Sequence, residues 1–571
     1  MRDFVAYRVL IPIWGVHSSD SGQLAVFGRT TALASRRLTR AKAGRFSRCG
    51  FPVTLAVFEA EVVTLAIKDK LAALLGPEVD PVEAGMKLRE LSELGPDGAV
   101  AVLAQLSLAE ETLEASDPAI VGTMLRIIHT HLVPDRERVI GIDPDVIAQV
   151  DATLPERISN RHLLLHLLSF ARTDASLRSL VEILNERPPE DWMAAAQVLS
   201  PLMQHDDWSI DAVFPGILQA LAVPALAASL LDLANHVTRR GRTEVHPAAE
   251  MTSGLNHLLG QVASRLGFFE ENPRAFGDDV PTVQKTLGEA VALAVALCDA
   301  LALIGDESSI AKLNQTVELR HRRVQCEAAG ALARLGDEEG RKRLIELAND
   351  PAARLRAVAY ADELGFGDEI EESNRSDDAT AEAELALWLS QPHQMGVPPT
   401  SVKVAETRRL LWPSFENPVD VTLVRFEYNM GDRCYSNIGL TGPATYTMSC
   451  DLADLPMDDI FAIYAGWHAE HPDIFTIGAD GFNEAQHRVM DTFSQHLEHL
   501  GYEDIKSQRL GIFLDEHAGV FTATREGTAC VVATDGLETI DQPTAGRSRP
   551  LTADDIFNLY KGRKMIRTFN A

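Results

Sequence analysis

Positive charge is scarce in this chain. Its 571 residues carry 53 Lys and Arg against 82 Asp and Glu, a formal net charge of -29. Phosphate binding draws on clustered cations and an acidic field repels polyanions, so nucleic acid and anionic membranes are not expected partners. Cysteine is sparse too. The six residues Cys49, Cys298, Cys326, Cys434, Cys450 and Cys530 are scattered without CxxC spacing. That indicates neither a disulfide framework nor a zinc ribbon, and it suits a reducing cytoplasm. No uninterrupted apolar run reaches the roughly 18 residues of a membrane span, and Val5 to Val16 is short and broken. The Gly-rich stretch NIGLTGPAT (437–445) has neither the lysine of a phosphate-binding loop nor GxGxxG spacing. No cofactor is expected.

What is present begins with an asymmetry. The first 50 residues hold nine Lys or Arg against Asp3 and Asp20, a net of +7, which leaves -29 minus 7, or -36, on the remainder. Residues 1–51 are expected to form a basic, flexible arm, although Arg-rich, acid-poor composition is shared by transit peptides. A chain of this length supports more than one core.

From about Val53 to Trp388 apolar residues recur at three and four, and strand-like alternation is nearly absent. CDALALIGDESSIAKL (298–313) and AGALARLGDEEGRKRL (329–344) superpose with a shift of 31, Gly305 and Asp306 falling on Gly336 and Asp337. A looser third copy places Leu364 and Gly365 in the same frame. Each unit reads as a helix, a Gly at the position needing a left-handed residue, an Asp capping the next helix, and a second amphipathic helix. One such hairpin cannot bury its apolar face alone, so the units are expected to stack as a solenoid over 52–390.

The segment RRVQCEAAGALARLGDEEGRKRLIELANDPAARLRAVAYADELG (322–365) resembles the HEAT-like repeat of phycobilisome lyase-type proteins. The resemblance is good over roughly 290 to 370, with a similar Leu-Gly turn near Leu94. It implies an α-solenoid and a protein-binding scaffold, with a chromophore-lyase activity as the rival. It supplies no catalytic residue. His162 and His166 share a helical face at the spacing of a metal site, but no Glu follows the first His as in HExxH, so a packed or solvated helix is expected. Arg239 to Arg242 (RRGR) reads as solvated cations at a helix end.

Composition changes after Trp388. Pro392, Pro398 and Pro399 mark an expected linker over 391–412, and a duplicated α+β domain is expected over 413–571. The frame Asp-Asp-Ile-Phe-x-x-Tyr-x-Gly occurs at Asp458 and again at Asp554, 96 residues on. Around each copy the pattern reads strand, strand, helix, strand, with MIRTFN (565–570) as the terminal strand. Thr552 and Asp555 have capping-box spacing and Pro456 stands where Thr552 does, which places the aspartates in a helix's first turn. Ile460, Tyr464 and Trp467 then form one apolar stripe.

The functional alternative is that Asp458, Asp459, Asp554 and Asp555 converge to hold a cation or do acid–base work. His468, Glu470 and His471 form a second small candidate site, and Cys434 or Cys450 could act as a nucleophile beside a base. The reading that emerges is a cytoplasmic, non-catalytic interaction scaffold with a protein partner and a C-terminal α+β recognition domain. A lyase or isomerase is the first alternative, and a structural subunit of a larger assembly the second.

Overall fold

A computed structural model describes residues 67–570 except 76–78, 134–141, 159, 190, 392–393 and 432. The chain divides into two units, Met1–Val63 and Thr64–Ala571. The basic arm expected over 1–51 falls in the first, outside the described residues.

The described part of the second unit opens as a two-layer helical array. One layer runs through Pro118–Leu132, His162–Ala171 and Trp192–Gln204 to α1 (Pro224–Arg239), α2 (Val280–Ile304), α3 (Arg322–Arg334) and, beyond α4 (Glu338–Leu347), α5 (Pro351–Leu364), each packing on the next. Thr252–Glu271, Ile310–Val317 and α4 form the second layer over α2, α3 and α5. The hairpin chemistry read from sequence is realised. Gly305, Gly336 and Gly365 sit at φ 79°, 82° and 82°, a region that only a residue without Cβ enters freely. Asp306 accepts from the Ser308 N–H, and Asp337 from those of Glu339 and Gly340, capping the helices that follow. Ala300, Leu301, Ala331, Leu332, Leu313 and Leu344 lie in the continuous core beneath.

α2 is long and apolar enough to cross a membrane. Its place in the array accounts for that composition, because a helix covered on several sides is apolar nearly all round. It packs between α1 and α3 under Thr252–Glu271, and its Asp299 pairs with Arg239 of α1.

The last array helix, α6 (Asp377–Leu389), packs on α5 and also on the first sheet. That sheet is the antiparallel meander β1 (Ser401–Leu410), β2 (Val419–Met430), β3 (Arg433–Thr441) and β4 (Tyr446–Thr447), followed by α7 (Met457–His468). The second sheet runs β5 (Ile474–Gly478), β6 (Tyr502–Phe513), β7 (Glu516–Arg525), β8 (Thr528–Thr534) and β9 (Thr539–Pro543), with α8 (Glu484–His499) between β5 and β6 and α9 (Ala553–Phe569) at the end. Each sheet is covered on both faces. Val424, Phe426 and Tyr428 meet Leu385 and Leu389 of α6, while Val421 and Leu423 face the α7–α9 core. Correspondingly Phe521 and Val532 meet Met490 and Leu497 of α8, while Ala518 and Val520 face that same core.

Three sequence expectations are corrected. The supposed linker contains β1, which pairs antiparallel with β2 from Ser401↔Glu427 to Leu410↔Val419. Its polar alternation hides a strand whose apolar contribution is small. MIRTFN is the last turn and a half of α9, since after Gly562 no Gly or Pro breaks the helix and a short apolar run does not distinguish strand from helix. The duplicated unit is therefore a four-strand meander closed by a helix, instead of strand, strand, helix, strand. A shift of 96 carries β2 (419–430) onto 515–526, over β7.

Candidate functional site

The two Asp-Asp helices are the centre of the C-terminal half, and their packing explains the repeated frame. α7 and α9 cross backbone to backbone at the repeated glycines. A Cβ on Gly466 would lie 1.8 Å from the Asn558 carbonyl oxygen, and one on Gly562 would lie 1.7 Å from that of Ala462. Ile460, Phe461, Tyr464, Ile556, Phe557 and Tyr560 fill the core around the crossing. Tyr464 donates to the Ile438 carbonyl at 2.8 Å, and Tyr560 to Asp535 at 2.9 Å.

The four aspartates do not share a partner. Asp458 pairs with Arg408 of β1 at 2.8 Å, and Asp554 with Arg509 of β6 at 2.8 Å, so each first Asp anchors its helix to the first strand of its own meander. Asp459 is buried and accepts two bonds from Arg563 of α9, at 2.8 and 2.7 Å, tying one helix to the other. Asp555 completes the capping box with Thr552. Among the described residues no group of three or more His, Cys, Asp or Glu could hold a metal. Each carboxylate is engaged in an ion pair or a helix cap.

His468 accepts a 2.8 Å bond from the Trp412 indole N–H, and burial lowers its pKa, Glu470 opposing. Its ring belongs to an aromatic cluster with Trp412, Tyr446 and Trp467, in which Tyr446 and Trp467 lie 4.4 Å apart. Trp467 is 50% exposed, so the expected apolar stripe ends at Tyr464. His471 is turned to its own loop, where its Nδ1 accepts from the Asp473 N–H. Cys450 is buried and its thiol is pushed up to about 12, by burial and then by Asp555, which keeps it protonated and a poor nucleophile. Cys434 is exposed.

In the array, His166 is buried, bonds to His129 ring to ring at 2.9 Å and leans on Phe170. Burial holds His166 down to about 3 and His129 down to about 4, so both are neutral packing groups near pH 7. The RRGR cations, expected to be solvated, are engaged. Arg240 pairs with Asp206 at 3.5 Å, and Arg242 lies over the Trp208 ring at 4.3 Å. Arg239 begins a feature the sequence did not disclose.

Four successive helices of the first layer are cross-linked by charge. Arg239 of α1 bonds Asp299 of α2 at 3.2 Å and Glu363 of α5 at 3.1 Å, and Glu363 also accepts from Arg334 of α3 at 2.5 Å. Arg356 of α5 forks onto Glu327 of α3 at 2.8 and 2.9 Å and lies over the Tyr360 ring, whose hydroxyl donates to the same carboxylate. Burial alone would raise Glu327; the Arg356 charge and the bonds from Arg356 and Tyr360 outweigh it and hold the carboxyl below its usual range. Asp232 of α1 and Arg323 of α3 are exposed beside this ladder, and among the described residues neither has an ion-pair partner. Crowding protein atoms raise the Asp232 pKa, with Arg323 opposing and Asp299 and Glu327 adding to the rise. Its members lie 60 or more residues apart along the chain in the longest links, beyond any local pattern.

No curated protein matches the chain. Residues 285–362, which run from within α2 to within α5 and include most of the ladder, match the family model of HEAT repeats.

Proposed function

We propose that the protein is a non-catalytic interaction scaffold that binds a protein partner along the first helix layer of its HEAT array. The observation that carries this reading is the charge ladder, and beside it an acid raised to about 7 and a guanidinium, neither in an ion pair among the described residues. Asp232 and Arg323 flank three neutralised pairs on adjoining helices, offering one acceptor and one donor to a polar, extended segment. Arrays of this kind present long surfaces built from successive repeats, a use compatible with the likeness to phycobilisome lyase-type repeats without requiring their chemistry. The five described cysteines are all free thiols, in keeping with a reducing cytoplasm.

The test is cross-linking with mass spectrometry after capture from a lysate of the protein's own source, using wild type and the doubly reversed variant Asp232→Arg/Arg323→Glu. Both positions are exposed, so the fold should be retained. Cross-links from a discrete partner to α1 and α3, with capture at least tenfold weaker in the variant (about 1.4 kcal/mol), support the reading. A partner that is captured equally by both proteins, or that cross-links only elsewhere, overturns it.

A further inference from the structure

The duplicated halves are not interchangeable at one place. In the repeated frame Lys561 of α9 stands where α7 has Ala465, and Trp467 of α7 stands where α9 has Arg563, each pair being 96 apart. Both departures line the same open depression of about 470 Å³, walled by Trp467, Glu470, His471, Pro472, Ile474 and Lys561. Ala465 is wholly buried, so the frame requires only a small residue there. The lysine is an addition to the packing.

Lys561 is itself only 9% exposed, yet among the described residues its amine makes no hydrogen bond or ion pair. Its one close partner is the Phe557 ring, whose centroid lies 5.6 Å from Nζ. The stem is sheltered while Nζ still opens on the depression, and the Phe557 ring face offers the ammonium only about 0.5 to 2 kcal/mol, which leaves it free to meet an acceptor there. Burial lowers the Lys561 pKa, while Asp554 and Glu470 oppose that shift from a distance. The Glu470 carboxylate at the rim is exposed and likewise makes no ion pair among the described residues. Beside both, half of Trp467 faces solvent, held in place from behind by Tyr446 at 4.4 Å.

One unpaired cation, one unpaired anion and one flat apolar surface thus surround a small volume. A dianion would be repelled by Glu470, and a simple cation by Lys561. We infer that this depression is a binding site for a free zwitterionic α-amino acid with an aromatic side chain, its carboxylate on Lys561, its ammonium on Glu470 and its ring on Trp467. Offset stacking on an indole adds about 0.5 to 1.5 kcal/mol to the burial of the ring, and the two charged contacts fix its direction. The site is on the duplicated domain and does not depend on the array's binding a protein.

The experiment is isothermal titration of the full chain with L-phenylalanine, phenethylamine and 3-phenylpropanoate. The expected result is saturable binding of L-phenylalanine, with each analogue lacking one charge at least tenfold weaker. Lys561→Met, which keeps the buried stem, and Glu470→Gln, at an exposed position, should each weaken L-phenylalanine at least tenfold without lowering the thermal midpoint. The inference is overturned if L-phenylalanine shows no saturable binding up to about 10 mM, a concentration at which even a contact of roughly -4 kcal/mol saturates. It is equally overturned if phenethylamine binds as tightly as L-phenylalanine, or if Lys561→Met binds as wild type does.

Discussion

A single methyl group at the crossing of α7 and α9 should reverse the usual effect of replacing a helical glycine. Gly to Ala in an open helical position removes backbone freedom from the unfolded chain and stabilises by up to about 1 kcal/mol. Gly254, in Thr252–Glu271, is such a position, with no neighbouring atom within 4 Å of where a Cβ would stand. At Gly466 the Cβ would meet the Asn558 carbonyl oxygen at 1.8 Å, against the roughly 3.3 Å that a carbon and a carbonyl oxygen tolerate. The obstacle is backbone and cannot rotate away, so the helices must part by about 1.5 Å. A gap of even 0.5 to 1 Å forfeits a quarter to a half of each dispersion contact, and the contacts strained are those among Ile460, Phe461, Tyr464, Ile556, Phe557 and Tyr560. Overpacking of this kind typically costs about 1 to 3 kcal/mol or more; with backbone on both sides the upper end applies, and the propensity gain of about 1 kcal/mol offsets only part. Gly466→Ala should therefore destabilise the C-terminal half by at least about 2 kcal/mol, or more than tenfold in local opening, while Gly254→Ala should stabilise the array. Hydrogen exchange read by mass spectrometry over 457–468 reports the first and thermal scanning the second. An unchanged or raised protection of 457–468 in Gly466→Ala would refute the crossing.

Three further outcomes follow from named contacts. His246 is buried, its Nδ1 accepting from the Ala248 N–H at 3.1 Å and its Nε2–H donating to Asn235 at 2.9 Å, and burial lowers its pKa to about 4. Because the unfolded chain binds that proton near pH 6.5, stability is full above about 6.5 and is lost as pH falls toward 4, by on the order of 3 kcal/mol; His246→Gln should flatten the profile of urea midpoint against pH in that window, and an unaltered slope would sink the assignment. Asp554→Asn/Asp555→Asn removes a half-exposed pair and one half of a capping box and should cost only about 1 to 2 kcal/mol in thermal or urea unfolding, whereas Asp459→Asn, which strips the buried end of the link to Arg563, should cost more than Asp458→Asn and Asp554→Asn together; the reverse order would mean that the exposed carboxylates carry the load. Leu332→Asp places a charge in the buried face of α3 near its C-terminal end, and retention of the wild-type thermal transition would be incompatible with the repeat register.

Local rules were legible wherever the cause was local. Gly305, Gly336, Asp306, Asp337 and Thr552 all announce helix ends through local interactions a few residues away, and each does what its chemistry requires. The doubled aspartate was readable as a helix start for the same reason. The sequence was silent where the cause is distant. β1 has no strong apolar alternation because α6 and β2 supply most of its cover, and MIRTFN lacks only a breaker, a feature that an apolar hexamer does not display. The partners of Arg239 are 60 and 124 residues further along the chain. The repeated glycine was visible in the frame, but its reason is the backbone of a helix 96 residues on.

The true extent of the duplication bears on how the molecule is to be dissected. α6 covers the outer face of the first sheet through Leu385 and Leu389, as α8 covers the second through Met490 and Leu497. Each repeated unit is therefore helix, four strands, helix, and the first helix of the first unit is also the last helix of the array, since α6 packs on α5. Arg354 of α5 reinforces that seam by donating to the Ala379 carbonyl at 3.0 Å and pairing with Glu382 at 3.3 Å, and Glu382 in turn accepts from the Val404 N–H of β1 at 3.2 Å. A chain cut at Met395 would keep α6 and lose the sheet it covers, exposing Leu385 and Leu389 at the end of the array. Altered binding by such a fragment would then report the damaged seam as much as the missing domain, which is why single-site variants of the full chain separate the two candidate surfaces where truncation does not.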